Sequence, residues 1–157
     1  MSKCVLTYYT KSNIIIISLS QIGKIFTLRT EHTMGKFVIK QGRTGYTFSL
    51  KAVNGEIIAT GGEVLSSLST CKNSIESVIK NAPIANVEDQ TIEGYKKETH
   101  PKFEIYYDKK GEFRFRLRAR NGEPILASEG YTAKASCKNG IESVRKNVVD
   151  ATVVDPE

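Results

Sequence analysis

Phe103, Ile105 and Tyr107 alternate with polar residues, as do Phe113, Phe115, Leu117 and Ala119. A period of two puts the apolar side chains of such a run on one face, so each run predicts a strand with one buried side. The period then changes to that of a helix. Leu68, Cys71, Ile75 and Val78 form one apolar stripe, and Ala133, Cys137, Ile141, Val144 and Val148 form another. Ser66 and Thr132 carry hydroxyls suited to hold a first-turn amide and predict the helix starts. Asn81-Ala82-Pro83 predicts an end, because proline cannot continue a helix. Asn54-Gly55 and Asn121-Gly122 lie between strand-like runs and predict type I′ hairpins, whose two central residues both need positive φ. That register sets Leu50 against Ala59 and Ala52 against Ile57. Short β-prone tails follow the helices, Ile84 to Val87 and Thr152 to Val154.

The same order of elements occurs twice. Cys71-Lys72-Asn73-Ser74-Ile75-Glu76-Ser77-Val78 lies over Cys137-Lys138-Asn139-Gly140-Ile141-Glu142-Ser143-Val144, identical at seven of eight positions. Lys36-Phe37-Val38-Ile39 lies over Lys102-Phe103-Glu104-Ile105, and the run from Phe48 to Glu56 over that from Phe115 to Glu123. One gap near Gly45 and one near Gly62 bring the rest into register. The chain is therefore a tandem duplication, with copy one at 34–89, a polar linker at 90–99 that contains Gly94, and copy two at 100–157. Each copy reads β-β-β-α-β, an α+β class. A unit of roughly 55 residues is marginal alone, so the copies are expected to share one core, with 34–157 folding as one unit.

These features resemble the YegP-like family: tandem units, each with Phe-x-Ile, Asn-Gly-Glu and a helical Cys-Lys-Asn-x-Ile-Glu-Ser-Val. The resemblance implies a small bacterial protein of uncharacterised function. It also implies that the two units build a single, mostly antiparallel sheet with the helices on one face, and that they exchange their C-terminal strands. No catalytic residues come with the family. Copy one departs from the usual Gly-Tyr before the helix, having Val64-Leu65 where copy two has Gly130-Tyr131.

Residues 1–33 match neither copy, and Met34-Gly35 falls just before the first. An unstructured extension or an upstream start-site artefact is the favoured reading. Lys3 and Lys11 ahead of Ile14 to Ile17 imitate a secretory leader, but a small-x-small cleavage site is lacking and the cysteines are unpaired.

Composition changes this picture little. The 157 residues are 39% hydrophobic and 25% charged, as in a globular domain. The net charge is +6, which raises the question of nucleic acid. Residues 1–33 carry four basic and one acidic side chain, 34–89 six and five, and 90–157 thirteen and eleven, so the part beyond residue 33 holds only +3. Three cysteines without a Cys-x-x-Cys pair give neither a disulfide framework nor a zinc site, and a reducing cytosol is expected. The run from Ile14 to Leu19 is far short of the roughly 20 residues a membrane span needs.

Candidate chemistry is sparse. Arg114, Arg116, Arg118 and Arg120 at period two predict a row of guanidiniums on one strand face, able to grip phosphates. Pairing with Glu104, Glu123 or neighbours on adjacent strands is the structural alternative. Copy one has Thr47, Ser49, Lys51 and Val53 there, so the row does not belong to the repeated unit. Asn73 and Asn139 recur without a packing account and are candidates for a polar contact, with a local hydrogen bond the favoured reading. Lys72, Glu76 and Lys80 recur as Lys138, Glu142 and Lys146, spaced for helix-surface ion pairs. Cys71 and Cys137 fall on the apolar stripes, where cysteine acts as a small hydrophobe. His32 and His100 lie outside the repeated elements and assemble no metal cluster. No catalytic set and no cofactor are expected. The reading is a monomeric, non-enzymatic cytosolic binding or interaction module, built on internal pseudo-symmetry. The alternative is weak, sequence-independent nucleic-acid binding through the arginine row, with Tyr46, Tyr106, Tyr107 or Tyr131 stacking on bases. An enzyme acting on an anionic substrate is a third class, without a nucleophile and base to support it.

Overall fold

The computed structural model describes residues 5–9, 14–18 and 34–156. It divides into two units, residues 1–33 and 34–157. In the first, β1 (Val5–Tyr9) pairs antiparallel with β2 (Ile14–Ser18), Val5 against Ser18 and Tyr9 against Ile14. The expectation for the rest of residues 1–33 lies outside the described residues.

The second unit holds both copies. Copy one supplies β3 (Lys36–Gln41), β4 (Tyr46–Lys51), β5 (Ile57–Thr60), α1 (Leu68–Asn81), a short 3-10 turn (Ala82–Ile84) and β6 (Asn86–Asp89). Copy two supplies β7 (Lys102–Tyr107), β8 (Phe113–Arg118), β9 (Pro124–Ser128), α2 (Lys134–Val148) and β10 (Thr152–Val154). All eight strands form one sheet in the order β10-β3-β4-β5-β9-β8-β7-β6, which reads alike from either end if the copies are interchanged. β5 and β9 meet at the centre, Ala59 opposite Ser128 and Thr60 opposite Ala127.

The last strand of each copy is exchanged, as the resemblance implied. β6 leaves copy one and pairs parallel with β7, while β10 leaves copy two and pairs parallel with β3. An ion pair also ties each exchanged segment to the other copy's helix, Asp89 of β6 to Lys134 at 3.1 Å and Asp155, just after β10, to Lys72 at 2.9 Å. The remaining pairings within the sheet are antiparallel.

Strand alternation and helix stripe meet in one core. Phe37, Leu50, Ala59, Phe103, Ile105, Phe115, Leu117 and Leu126 are wholly buried, together with Cys71 and Val78 of α1 and Cys137, Val144 and Val148 of α2. Each copy packs an edge-to-face phenylalanine pair, Phe37 with Phe48 at 5.9 Å and Phe103 with Phe115 at 5.8 Å. Among the described residues no helix is long and apolar enough to cross a membrane.

Three local expectations are corrected. First, the Asn-Gly turns are not type I′. Gly55 and Gly122 have φ of 86° and 84°, but neither Asn54 nor Asn121 is in the left-handed region. The Ala52 carbonyl accepts from Gly55 N–H and Ala52 N–H donates to the Glu56 carbonyl, which makes a three-residue loop with glycine in the left-handed position. A register shift after Leu50 then places Lys51, not Ala52, opposite Ile57, while Leu50 faces Ala59 as expected. The same shift follows Leu117. The reason is local. Asn54 Oδ1 accepts from Glu56 N–H at 3.1 Å and Asn121 Oδ1 from Glu123 N–H at 3.1 Å, so the side chain closes the turn without a strained asparagine backbone.

Second, α1 is capped by Ser67, whose Oγ accepts from Thr70 N–H at 3.1 Å, rather than by Ser66. Third, α2 starts after Ala133, which has no side chain to offer its first turn, so Ala133 is a cap position rather than part of the stripe and Thr132 does not cap. Ser67→Ala should therefore lower stability by about 1 kcal/mol and Ala133→Ser raise it by a similar amount. Urea unfolding midpoints of the two variants measure both signs.

Candidate functional site

The outer face of copy two carries charge, and that charge is satisfied inside the sheet. Arg114 Nε donates to Asp108 Oδ2 at 2.7 Å, and its Nη1 donates to the Ser128 carbonyl at 3.2 Å. Arg116 and Arg118 both donate through Nε to Glu104 Oε2, at 2.5 and 2.8 Å. Lys102 Nζ bridges Glu88 at 2.6 Å and Glu104 at 3.2 Å. Gln90 and the amide of Glu98 complete the shell around Glu88. Burial alone would raise the Glu88 carboxyl, but the hydrogen bonds from Gln90, Lys102 and Glu98 outweigh it and bring it from 4.5 down to about 2. Burial would likewise raise Glu104, and the hydrogen bonds from Arg118, Arg116 and Lys102 hold it below the ordinary carboxylate range. Arg116 also stacks over Tyr106, 4.9 Å from the ring centre.

The expected row of four is therefore three. The strand β8 ends at Arg118, and Arg120 sits exposed in the hairpin turn. Glu123 takes no arginine of the row; its carboxylate accepts from Asn121 Nδ2 at 3.0 Å.

A different set of residues converges. The α1 face bearing Asn73, Ser74 and Ser77 looks across to the copy-two hairpin, with Asn121, Glu123 and Ile125, over an open cleft of about 490 Å³. The α2 face bearing Asn139, Gly140 and Ser143 looks across to the copy-one hairpin, with Asn54, Glu56 and Ile58, over a second cleft of about 560 Å³. The two are related by the pseudo-twofold axis between β5 and β9, and each is built from one copy's helix and the other copy's turn. Asn73 and Asn139 are brought to equivalent places, one in each cleft. Repetition of Asn-Gly-Glu and of Asn-x-Ile-Glu-Ser was visible in the sequence; that the two motifs face each other follows only from the pairing of β5 with β9.

The asparagines divide by role. Asn81 and Asn147 donate back to the carbonyls of Ser77 and Ser143 at 2.7 and 2.8 Å, and Asn54 and Asn121 close the turns. Among the described residues Asn73 and Asn139 make no side-chain hydrogen bond, and both are exposed to their clefts.

The one mismatch in the helix motif, Ser74 against Gly140, has a packing cause. Leu65 and Tyr131 occupy equivalent places, bridging Tyr46 and Phe113 through backbone hydrogen bonds. Tyr131 stacks on Phe115 at 6.3 Å and lies over Gly140, where a Cβ would stand 2.5 Å from Tyr131 Oη and 2.9 Å from Phe115 Cε1. Copy one has the shorter Leu65 there and accommodates Ser74. Gly140→Ser should cost about 1–3 kcal/mol through overpacking, although removing a helical glycine ordinarily stabilises. Adding Tyr131→Leu should recover most of the loss, and a double-mutant cycle by urea unfolding reads the coupling. Additive effects would show that the two sites are independent.

Neither Cys71 nor Cys137 contributes a reactive thiol to either cleft. Cys71 and Cys137 are buried and unpaired, and burial, with a smaller effect of Asp89, pushes Cys137 up to about 11.

Comparison with known proteins agrees with this architecture. A family model described as a domain of unknown function, DUF1508, matches residues 44–89 and 108–155. A UPF0339 protein of Treponema denticola is 63% identical over 54 residues, which are 34% of this chain and 93% of that protein, so that relative is about one copy long. The UPF0339 protein YegP of Yersinia pestis is 34% identical over 123 residues, 78% of this chain and 96% of that protein. The solution NMR structure of YegP from E. coli, a protein of unknown function, superposes with a TM-score of 0.63 at 30% identity, covering 78% of this chain and 92% of that one.

Proposed function

This chain belongs to the DUF1508 family, and we propose on that premise that it is a monomeric, non-catalytic cytosolic binding module whose ligand sites are the two pseudo-symmetric clefts. One observation carries the reading. The polar residues retained in both copies, Asn and Ser of the helix motif and Asn and Glu of the hairpin motif, meet across the pseudo-twofold axis in equivalent places. Carboxamides and hydroxyls can donate and accept without acting as strong acids or bases, which suits recognition rather than bond making.

The alternative, nucleic-acid binding through the arginine row, has less support, since Arg114, Arg116 and Arg118 already face Asp108 and Glu104. It demands affinity for single strands that falls steeply with salt.

The test compares ligands that co-purify with the intact chain and with the Asn73→Ala/Asn139→Ala variant. Both substitutions are on exposed helix positions, so the fold should be retained, as unfolding midpoints will show. Loss of the co-purifying ligand with unchanged stability supports the reading. Turnover of a metabolite that depends on a polar cluster would overturn it.

A further inference from the structure

The cleft along α1 does not stop at Ser77. A second hollow of about 500 Å³ shares Ser77, Ala119 and Asn121 with it and continues along the helix to Lys80, Asn81 and Ile84. Together they make one groove beside Thr70, Asn73, Ser77 and Lys80, positions that share a helix face. At 1.5 Å per residue this stretch is roughly 15 Å long, the span of about four or five residues of extended chain.

The groove is electrically graded. Glu63 and Glu123 line only the end near Thr70, whereas Lys80 and Arg120 line only the other end. Between them lies Asn73, whose carboxamide matches a peptide group in offering one donor face and one acceptor face, beside Asn121, which closes the turn. The floor at the acidic end is apolar, with Phe48 and Leu65. The α2 cleft is lined differently. Glu56 lines it without a basic side chain, and the residue equivalent to Arg120 is Val53. Arg120 is thus the one member of the arginine run that lines the groove beside α1.

We propose that the α1 groove binds a short extended peptide segment, with a basic side chain toward Glu63 and Glu123 and an acidic side chain toward Lys80 and Arg120. This rests on the reading of the clefts as binding sites and gives one of them its ligand class. Opposed charges at the two ends set the direction of the peptide, since the reverse orientation puts like charges together. The two clefts then differ in specificity, and the dipolar peptide occupies only one.

A random heptapeptide library displayed on phage, panned on the full chain, tests this. The enriched sequences should place Asp or Glu about three to five residues from Lys or Arg, the span of the groove in extended chain. A synthetic peptide of an enriched sequence should shift the backbone amide resonances of Asn73, Ser77 and Asn121, and leave those of Asn139 and Asn54 in place. Lys80→Glu/Arg120→Glu changes only surface side chains and should weaken that peptide at least about tenfold, as expected when attraction turns to repulsion at one end. Enrichment without the charge pattern, no enrichment, or equal affinity for the charge-reversed variant would overturn the proposal. A fragment set of small amides and alcohols, screened by the same amide shifts, separates the two levels. Fragments that shift Asn73 and Asn139 when no peptide does leave the clefts as binding sites and remove the peptide; no shift from either removes both.

Discussion

Excised copy one, residues 34–89, is expected not to exist as a folded monomer. Its β3 loses the partner β10, and its own β6 is left with no β7 to pair with. Its Asp89 and Lys72 lose their partners Lys134 and Asp155. Its β5, at the centre of the intact sheet, becomes an edge carrying Ile58 and Ala59, which are buried in the whole chain. A unit of this size buries too small a fraction of its surface to offset chain entropy. Two fragments can, however, repair every one of these losses by exchanging β6 and pairing β5 with β5, which is the arrangement the two copies already have. Size-exclusion chromatography with amide-dispersion NMR should find either a disordered monomer or a folded dimer whose stability depends on concentration. A folded monomer would show that the copies are independent domains.

The second large effect is at Lys102. Its side chain and those of Glu88 and Glu104 are almost wholly enclosed, at 9%, 2% and 5% exposure. Lys102→Met would leave two carboxylates facing each other without the ammonium between them, and removing one partner of such a buried pair costs about 3–5 kcal/mol. The exposed pair of Lys80 and Glu76, at 3.4 Å, sets the contrast, for Lys80→Met should change stability by no more than about 0.5 kcal/mol. Acid dependence supplies a second readout. The Glu88 carboxyl is depressed in the folded chain, so the stability it contributes is present above its ordinary value of 4.5 and is lost as the pH falls through about 2. In the Lys102→Met variant protonation relieves the unpaired charge, so the gap between wild type and variant should narrow between pH 7 and pH 3. Urea unfolding at the two pH values measures it. A cost below about 1 kcal/mol at pH 7 would show that water reaches the network.

These two results bear on how the copies diverged. Copy one has Val38 where copy two has Glu104, and Ser49 where copy two has Arg116. The ionic network is thus a property of one half, whereas the core phenylalanines, the turns and the helix motif are common to both. The clefts sit on the common part, which is why residues retained in both copies, rather than the conspicuous arginines, mark the candidate site.

The amino-acid sequence by itself determined the duplication, the order of elements and the core, because a strand needs period two and a helix period 3.6, whatever surrounds them. Phe103, Ile105 and Phe115 are buried for that reason alone, and so are Cys71 and Ile75. It did not determine the turn type. Asn-Gly serves two loop geometries, and the choice fell to a hydrogen bond from the Glu56 amide to Asn54 Oδ1 and a one-residue register shift. The hairpin turn, beginning right after Arg118, also takes Arg120 out of its row, a displacement periodicity cannot foresee. Above all, the tertiary structure alone decided what Asn73 and Asn139 face. The pairing of β5 with β9 brings each helix to the other copy's hairpin, and such proximity between residues nearly fifty positions apart, Asn73 and Asn121, is set by the packing of the whole sheet and not by any local preference.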